Sequence, residues 1–132
     1  MIQFFKSLFG KKSNTKEIVK QWILSIEKEN NLPKNIIALY FCLYEPYGIT
    51  LTGSQSYDIE DDDWACDEDY IPIHRICPPL NIAKNKTWQE VLEEMILLIK
   101  EIMKELPDLN LWKVKHIAIG FEDGDLILIK TS

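Results

Sequence analysis

The chain has no run of about 18 apolar residues, the length a membrane-crossing helix needs, so no transmembrane segment is expected. It has no Gly-x-Ser-x-Gly elbow and no Cys-x-x-Cys pair, which removes the usual serine-hydrolase frame and the strongest zinc and thiol-redox signals. Its three cysteines, Cys42, Cys66 and Cys77, are an odd number. No regular disulfide framework follows from them, and a reducing compartment is the simplest reading. Gly and Pro are scarce, at 5 and 6 of 132 residues, in a chain 46% hydrophobic, so disorder of the whole chain is not expected. A single domain over residues 1–132 fits that length. Clustered basic residues are lacking too. With 15 basic against 21 acidic side chains, net −6, the chain is a poor match to a phosphate backbone, and nucleic acid is not expected as its ligand. The N-terminus lacks the order of a secretory signal: its apolar part is short, is broken by Lys6, and has Lys11 and Lys12 on the wrong side. A cytoplasmic location is the expectation.

What is present is concentrated in one stretch. From Asp58 to Asp69, eight of twelve residues are carboxylates and none is basic. Without those eight, 13 acids stand against 15 bases, a net of +2, so the negative charge is local. Such density disfavours folding by self-repulsion unless a cation or cationic partner offsets it. Tyr57, Ile59, Trp64 and Tyr70 are threaded through the acids, which marks the stretch as more than a solvated tail.

Taken in order, residues 2–9 read as a short amphipathic helix ended by Gly10. Its Phe4, Phe5 and Phe9 beside lysines suit weak contact with a membrane surface. Asn14 with Glu17 resembles a capping box, and Ile18, Val19, Trp22, Ile23 and Ile26 form the apolar stripe of a helix that stops by Asn30 and Pro33. Ile36 to Tyr44 carries no charge and predicts a central strand buried on both faces. Glu45 to Gly48 turns it into Ile49–Thr52, and Trp64-Ala65-Cys66 reads as a short further strand with its indole against the sheet. Residues 71–85, with three prolines, read as an ordered loop. Thr87 and Glu90 form a capping box for a helix that runs to about Leu106 and stops at Pro107. Val114–Phe121 and Leu126–Lys130 are strands joined across Asp123-Gly124, a strong hairpin signal. The expected class is α+β: two helices on one antiparallel sheet of four to five strands, in the order helix, hairpin, acidic loop, helix, hairpin.

Several chemistries compete for the acidic stretch. A calcium loop begun at Asp58 places Asp58, Glu60 and Asp62 correctly, but Asp63 stands where Gly is needed, Asp69 replaces the closing Glu, and flanking helices are missing. An irregular divalent-cation site in an accessory or regulatory domain is the alternative that survives. Cys66, His74 and Cys77 are at most three zinc ligands, with Cys42 or an aspartate as a fourth. A Cys–His nucleophile pair has no recognised frame, and the acids around Cys66 disfavour a thiolate. No catalytic residue, metal or cofactor is assigned. Binding fits best. Tyr57, Asp58, Glu60, Asp61, Asp62, Asp63, Trp64, Asp67, Glu68, Asp69 and Tyr70 are the candidate partner contacts, the acids for steering and the aromatics as desolvated anchors. A nuclease has a cationic cleft, so an acid-rich loop can mimic its polyanionic substrate.

Leu39-Tyr40-Phe41-Cys42-Leu43-Tyr44-Glu45, Gly53-Ser54 and Asp61-Asp62-Asp63-Trp64-Ala65-Cys66, within residues 36–72, resemble small bacterial immunity proteins of polymorphic-toxin and contact-dependent growth inhibition systems. The resemblance implies a non-catalytic, high-affinity protein binder. The expected partner is a cognate protein toxin or another basic protein.

Overall fold

A computed structural model describes residues 2–83 and 85–131, with side chains from residue 14 onward. Eight elements follow one another: α1 (Ile2–Glu29), β1 (Ala38–Tyr44), β2 (Gly48–Ser54), a 3-10 turn (Asp62–Cys66), α2 (Trp88–Glu105), a second 3-10 turn (Asn110–Lys113), β3 (His116–Phe121) and β4 (Ile127–Lys130). The class is α+β, with both helices on one four-stranded sheet.

The helix α1 is unbroken, so the expected stop at Gly10 does not occur. A lone glycine inside a helix costs about 1 kcal/mol relative to alanine, too little to end one on its own. Asn14 is therefore interior rather than a cap, and Glu17 accepts instead from Gln21 Nε2 one turn on, at 3.0 Å. The side chains of residues 2–13, on which the membrane-surface expectation rests, lie outside the described residues. Val19, Trp22, Ile23 and Ile26 are buried, as their spacing requires, and Asn30 closes the helix in the left-handed region at φ 52°.

In α2 the capping box forms as read: Glu90 N–H donates to Thr87 Oγ1 at 3.2 Å and Thr87 N–H to Glu90 Oε1 at 3.0 Å. Val91, Met95, Ile99 and Ile102 form its buried stripe. Lys16 bridges Glu101 and Glu105 and Lys20 pairs with Glu105, so the two helices are tied by charge at the surface as well as by the core beneath.

The sheet runs β2-β1-β3-β4. Both hairpins are antiparallel, but β1 and β3 pair in parallel, from Ala38 opposite His116 to Leu43 opposite Phe121. The sheet is thus mixed rather than antiparallel. β1 and β3 are the most apolar strands, and each opens its hairpin. Putting both in the centre joins first strand to first strand, and a parallel pair needs a long crossover. Residues 55–115, with α2 covering the same face as α1, provide it.

Alternation sorts the strands. Leu39, Phe41, Leu43, Ile49, Leu51, Ile117 and Ile119 are fully buried under the helices. Tyr40, Cys42 and Tyr44, on the other face of β1, are only half-buried, so that strand is not enclosed on both sides along its length. Beyond β2, residues 70–77 run alongside the sheet edge. Leu51 N–H donates to the Arg75 carbonyl, Cys77 N–H to that of Ile49, and Tyr70 and Gly53 exchange both backbone bonds. This irregular fifth partner closes an edge that would otherwise present unpaired backbone groups.

Candidate functional site

The acidic stretch leaves β2 at Ser54 and crosses the face of the sheet that the helices do not cover. Its middle is a 3-10 turn, not the expected strand. The cause is local: Asp61 caps the turn by accepting from Asp63 N–H at 2.9 Å, and Asp67 N–H closes it on the Trp64 carbonyl at 3.0 Å. Aspartates compete for backbone donors in this way and favour turns over ladders. Asp58 does the same two residues upstream, accepting from Glu60 N–H at 2.9 Å.

Two further acids fasten the ends. Asp67 Oδ2 accepts from Ser56 Oγ at 2.9 Å and from the buried Ser54 Oγ at 3.4 Å, and Asp69 Oδ2 accepts from Gln55 N–H at 2.8 Å. Glu60, Asp62, Asp63 and Glu68 make no side-chain hydrogen bond among the described residues. All eight carboxylates are exposed, and none forms an ion pair with a described lysine, arginine or histidine. The loop is therefore built by donors from its own backbone and hydroxyls, with its charge left uncompensated.

The aromatics point the other way. Trp64 is 5% exposed, packed with Ala38 and Ala118 in a small second cluster. Tyr57 stacks on the His116 ring at 3.7 Å and tilts against Trp64 at 5.3 Å. Burial, with Lys115 and Lys130 adding, holds His116 below its usual pKa, so the stacked ring is favoured neutral. Tyr70 is likewise 5% exposed. Its ring lies over Gly53, where an added Cβ would fall 3.2 Å from Tyr70 Cβ and 2.9 Å from Ile36 Cγ2. Burial, then the charges of Glu29 and Glu27, push the Tyr70 hydroxyl up to about 12. Trp64 and Tyr70 thus anchor the loop to its own fold and are not free to serve as partner anchors; Tyr57 is half-buried in the same stack. The exposed apolar side chains nearby are others: Ile59 at 75%, Ile73 at 77%, with Ile71 and Ile76.

The competing chemistries are not assembled. No group of three or more His, Cys, Asp or Glu side chains converges to hold a metal ion among the described residues. Cys66 is exposed, Cys77 is buried with its thiol pushed up to about 12, and all three cysteines are free. His74 faces neither; its Nδ1 meets Glu29 Oε2 at 2.6 Å. No described helix is long and apolar enough to cross a membrane.

Two residues escaped the sequence reading, Glu27 and Glu29. The Glu29 side chain is 5% exposed and accepts from the N–H groups of Ile73 and His74 at 2.8 and 2.9 Å. Burial alone would raise its carboxyl, but the bonds from His74 and Ile73 hold it below its usual range. Glu27 accepts from Asn110 N–H at 2.8 Å and Leu111 N–H at 3.2 Å. A signal was available: acids in the last turn of a helix oppose its dipole and so need donors from elsewhere. These two tie the segments at residues 73–74 and 110–111 to the end of α1. Comparison with family models, curated proteins and solved structures returns no match for the chain.

Proposed function

We propose that the protein is an immunity-type inhibitor that binds a cationic protein toxin and occludes it, with the Asp58–Asp69 loop as the recognition element. One observation carries this reading: eight exposed carboxylates stand without an ion pair among the described residues, on a loop fastened by buried Trp64 and Tyr70. An uncompensated anionic surface on a fixed support steers a cationic partner and adds little ordering cost when that partner docks. Half of the acids hold the loop's shape, and Glu60, Asp62, Asp63 and Glu68 are free for the partner. A nuclease toxin fits the charge, because its cleft must accept a polyanion. The cation-binding alternative gains no support, since no ligand set converges among the described residues.

The test is co-expression with the product of the neighbouring reading frame. Protection of the cells and a stable complex are expected, with both lost on reversing Asp62, Asp63 and Glu68 to lysine while the melting temperature holds. Failure of the pair to associate at low ionic strength would overturn the reading.

A further inference from the structure

The sheet face opposite the helices is covered over only part of its length. Trp64 seals the end near Ala38 and Ala118, with Tyr40, Leu126 and Leu128 around it. Toward the β1–β2 turn, Cys42, Tyr44, Gly48 and Thr50 are half-buried and belong to neither apolar cluster. The floor is flat. A Cβ on Gly48 would fall 2.2 Å from Tyr44 Cζ, so the tyrosine ring lies across the strand rather than standing off it. Three cavities among the described residues, of about 300, 570 and 350 Å³, do not have Cys42, Tyr44 or Thr50 in their walls. A broad flat surface suits a protein segment better than a small ligand, which needs concavity.

Acids border this floor at both ends. Asp61 to Asp63 and Asp67 belong to the loop at one end; Glu45, Glu122, Asp123 and Asp125 belong to the two hairpin turns at the other. All are exposed and none has an ion-pair partner among the described residues. Strand alternation after His116, Ala118 and Gly120 puts Glu122 on this same face. Of the neighbouring bases, Lys130 Nζ donates to the carbonyls of Trp112 and Val114 at 2.5 and 2.7 Å and His116 lies under Tyr57, while Lys115 is exposed and makes no ion pair among the described residues.

We infer that this half-open sheet face, floored by Cys42, Tyr44 and Thr50 between two acidic rims, docks a lysine- and arginine-bearing segment of a protein partner. The inference rests on the cationic-partner reading and adds where that partner lies. The uncovered part of β1 runs from Cys42 to Tyr44, about 7 Å at roughly 3.3 Å per residue, and the two rims flank it. An extended segment of similar length spans both. The stems of its long basic side chains lie on the Tyr44 ring while their heads reach the carboxylates.

The experiment is a titration of isotope-labelled protein at low ionic strength with a model peptide alternating lysine and threonine, followed by amide shifts. Saturable shifts at Cys42, Tyr44, Thr50 and Gly120 together with the acidic loop are expected. Thr50→Arg, which adds a cation to the floor, weakens binding about tenfold or more, with its melting curve as the check that it folds. Shifts confined to residues 58–69, or an unchanged affinity in folded Thr50→Arg, overturn the sheet-face assignment and leave the cationic-partner reading standing. No saturable shift anywhere overturns both.

Discussion

Trp64→Ala tests whether the acidic loop is held to the sheet by one ring. A tryptophan buries roughly 200 Å², worth about 5 kcal/mol at 25 cal/mol per Å² as an upper bound. The Trp64 cluster is small, with only Ala38 and Ala118 fully buried beside it. The void left by the ring opens to solvent, and the loop can lift instead of bridging a sealed cavity. The loss therefore belongs at the low end of the tryptophan-to-alanine range, about 3 kcal/mol. For a domain of 132 residues that is a fall of about 10 °C in melting temperature. Where the loop detaches without the rest unfolding, the same energy appears as faster cleavage by an endoprotease specific for acidic residues, by about a hundredfold between Asp58 and Asp69. Trp64→Phe keeps most of the contact and loses much less. A Trp64→Ala protein with an unchanged melting curve and an unchanged cleavage rate would refute the account, because the ring would then be buried without holding anything.

Gly53→Ala places a methyl against Ile36 and the Tyr70 ring, and a loss of about 1–3 kcal/mol in urea unfolding is expected for such overpacking; a neutral result would mean that Tyr70 is not seated there. Asp67→Ala removes the acceptor of Ser54 and Ser56 and costs about 1 kcal/mol, whereas Asp62→Asn leaves stability unchanged or raises it at low salt by relieving repulsion. Equal losses for the two, read from melting curves, would show that shape-holding and free acids had been wrongly divided. Glu29 has a folded pKa below its ordinary value, so its ionised form favours the fold; that contribution is complete above the ordinary carboxylate range and is lost as pH falls through the lowered value. Amide shifts of Ile73 and His74 titrating together in acid check this, and Glu29→Gln flattens the titration.

Local chemistry was legible in the sequence and long-range pairing was not. Thr87 and Glu90 specify their capping box within four residues, and the buried faces of α1 and α2 follow from apolar spacing alone. The uncharged Ile36–Tyr44 run named a central strand. Its parallel partner could not be read, because β1 and β3 meet across more than seventy residues and nothing in either strand encodes direction. At the acidic stretch, burial of the Trp64 indole was legible from an aromatic among acids, but its geometry was set by aspartates taking backbone donors, which turned an expected strand into a 3-10 turn. Tyr57, Trp64 and Tyr70 illustrate the general difficulty: an aromatic beside charges reads equally as an anchor for a partner or for the chain's own loop, and only packing distinguishes them.

The charges are sorted by side, and that sorting fixes how the molecule responds to salt. The eight loop acids with Glu45, Glu122, Asp123 and Asp125 make twelve; among the described side chains the remaining nine acids stand against 11 bases, a net of +2. On the helix side Lys16, Lys20 and Lys86 already meet Glu101, Glu105 and Glu94. On the sheet side the acids meet water, and the loop carrying them is fastened by Trp64, Tyr70 and neutral donors. Salt shrinks the reach of exposed charges to about 8 Å at physiological strength and leaves apolar burial intact. Added salt therefore slows the approach of a cationic partner without releasing the loop. A loop held instead by ionic contacts would come free under the same treatment, so amide exchange of Trp64 and Asp67 that speeds up with salt would contradict this division of labour.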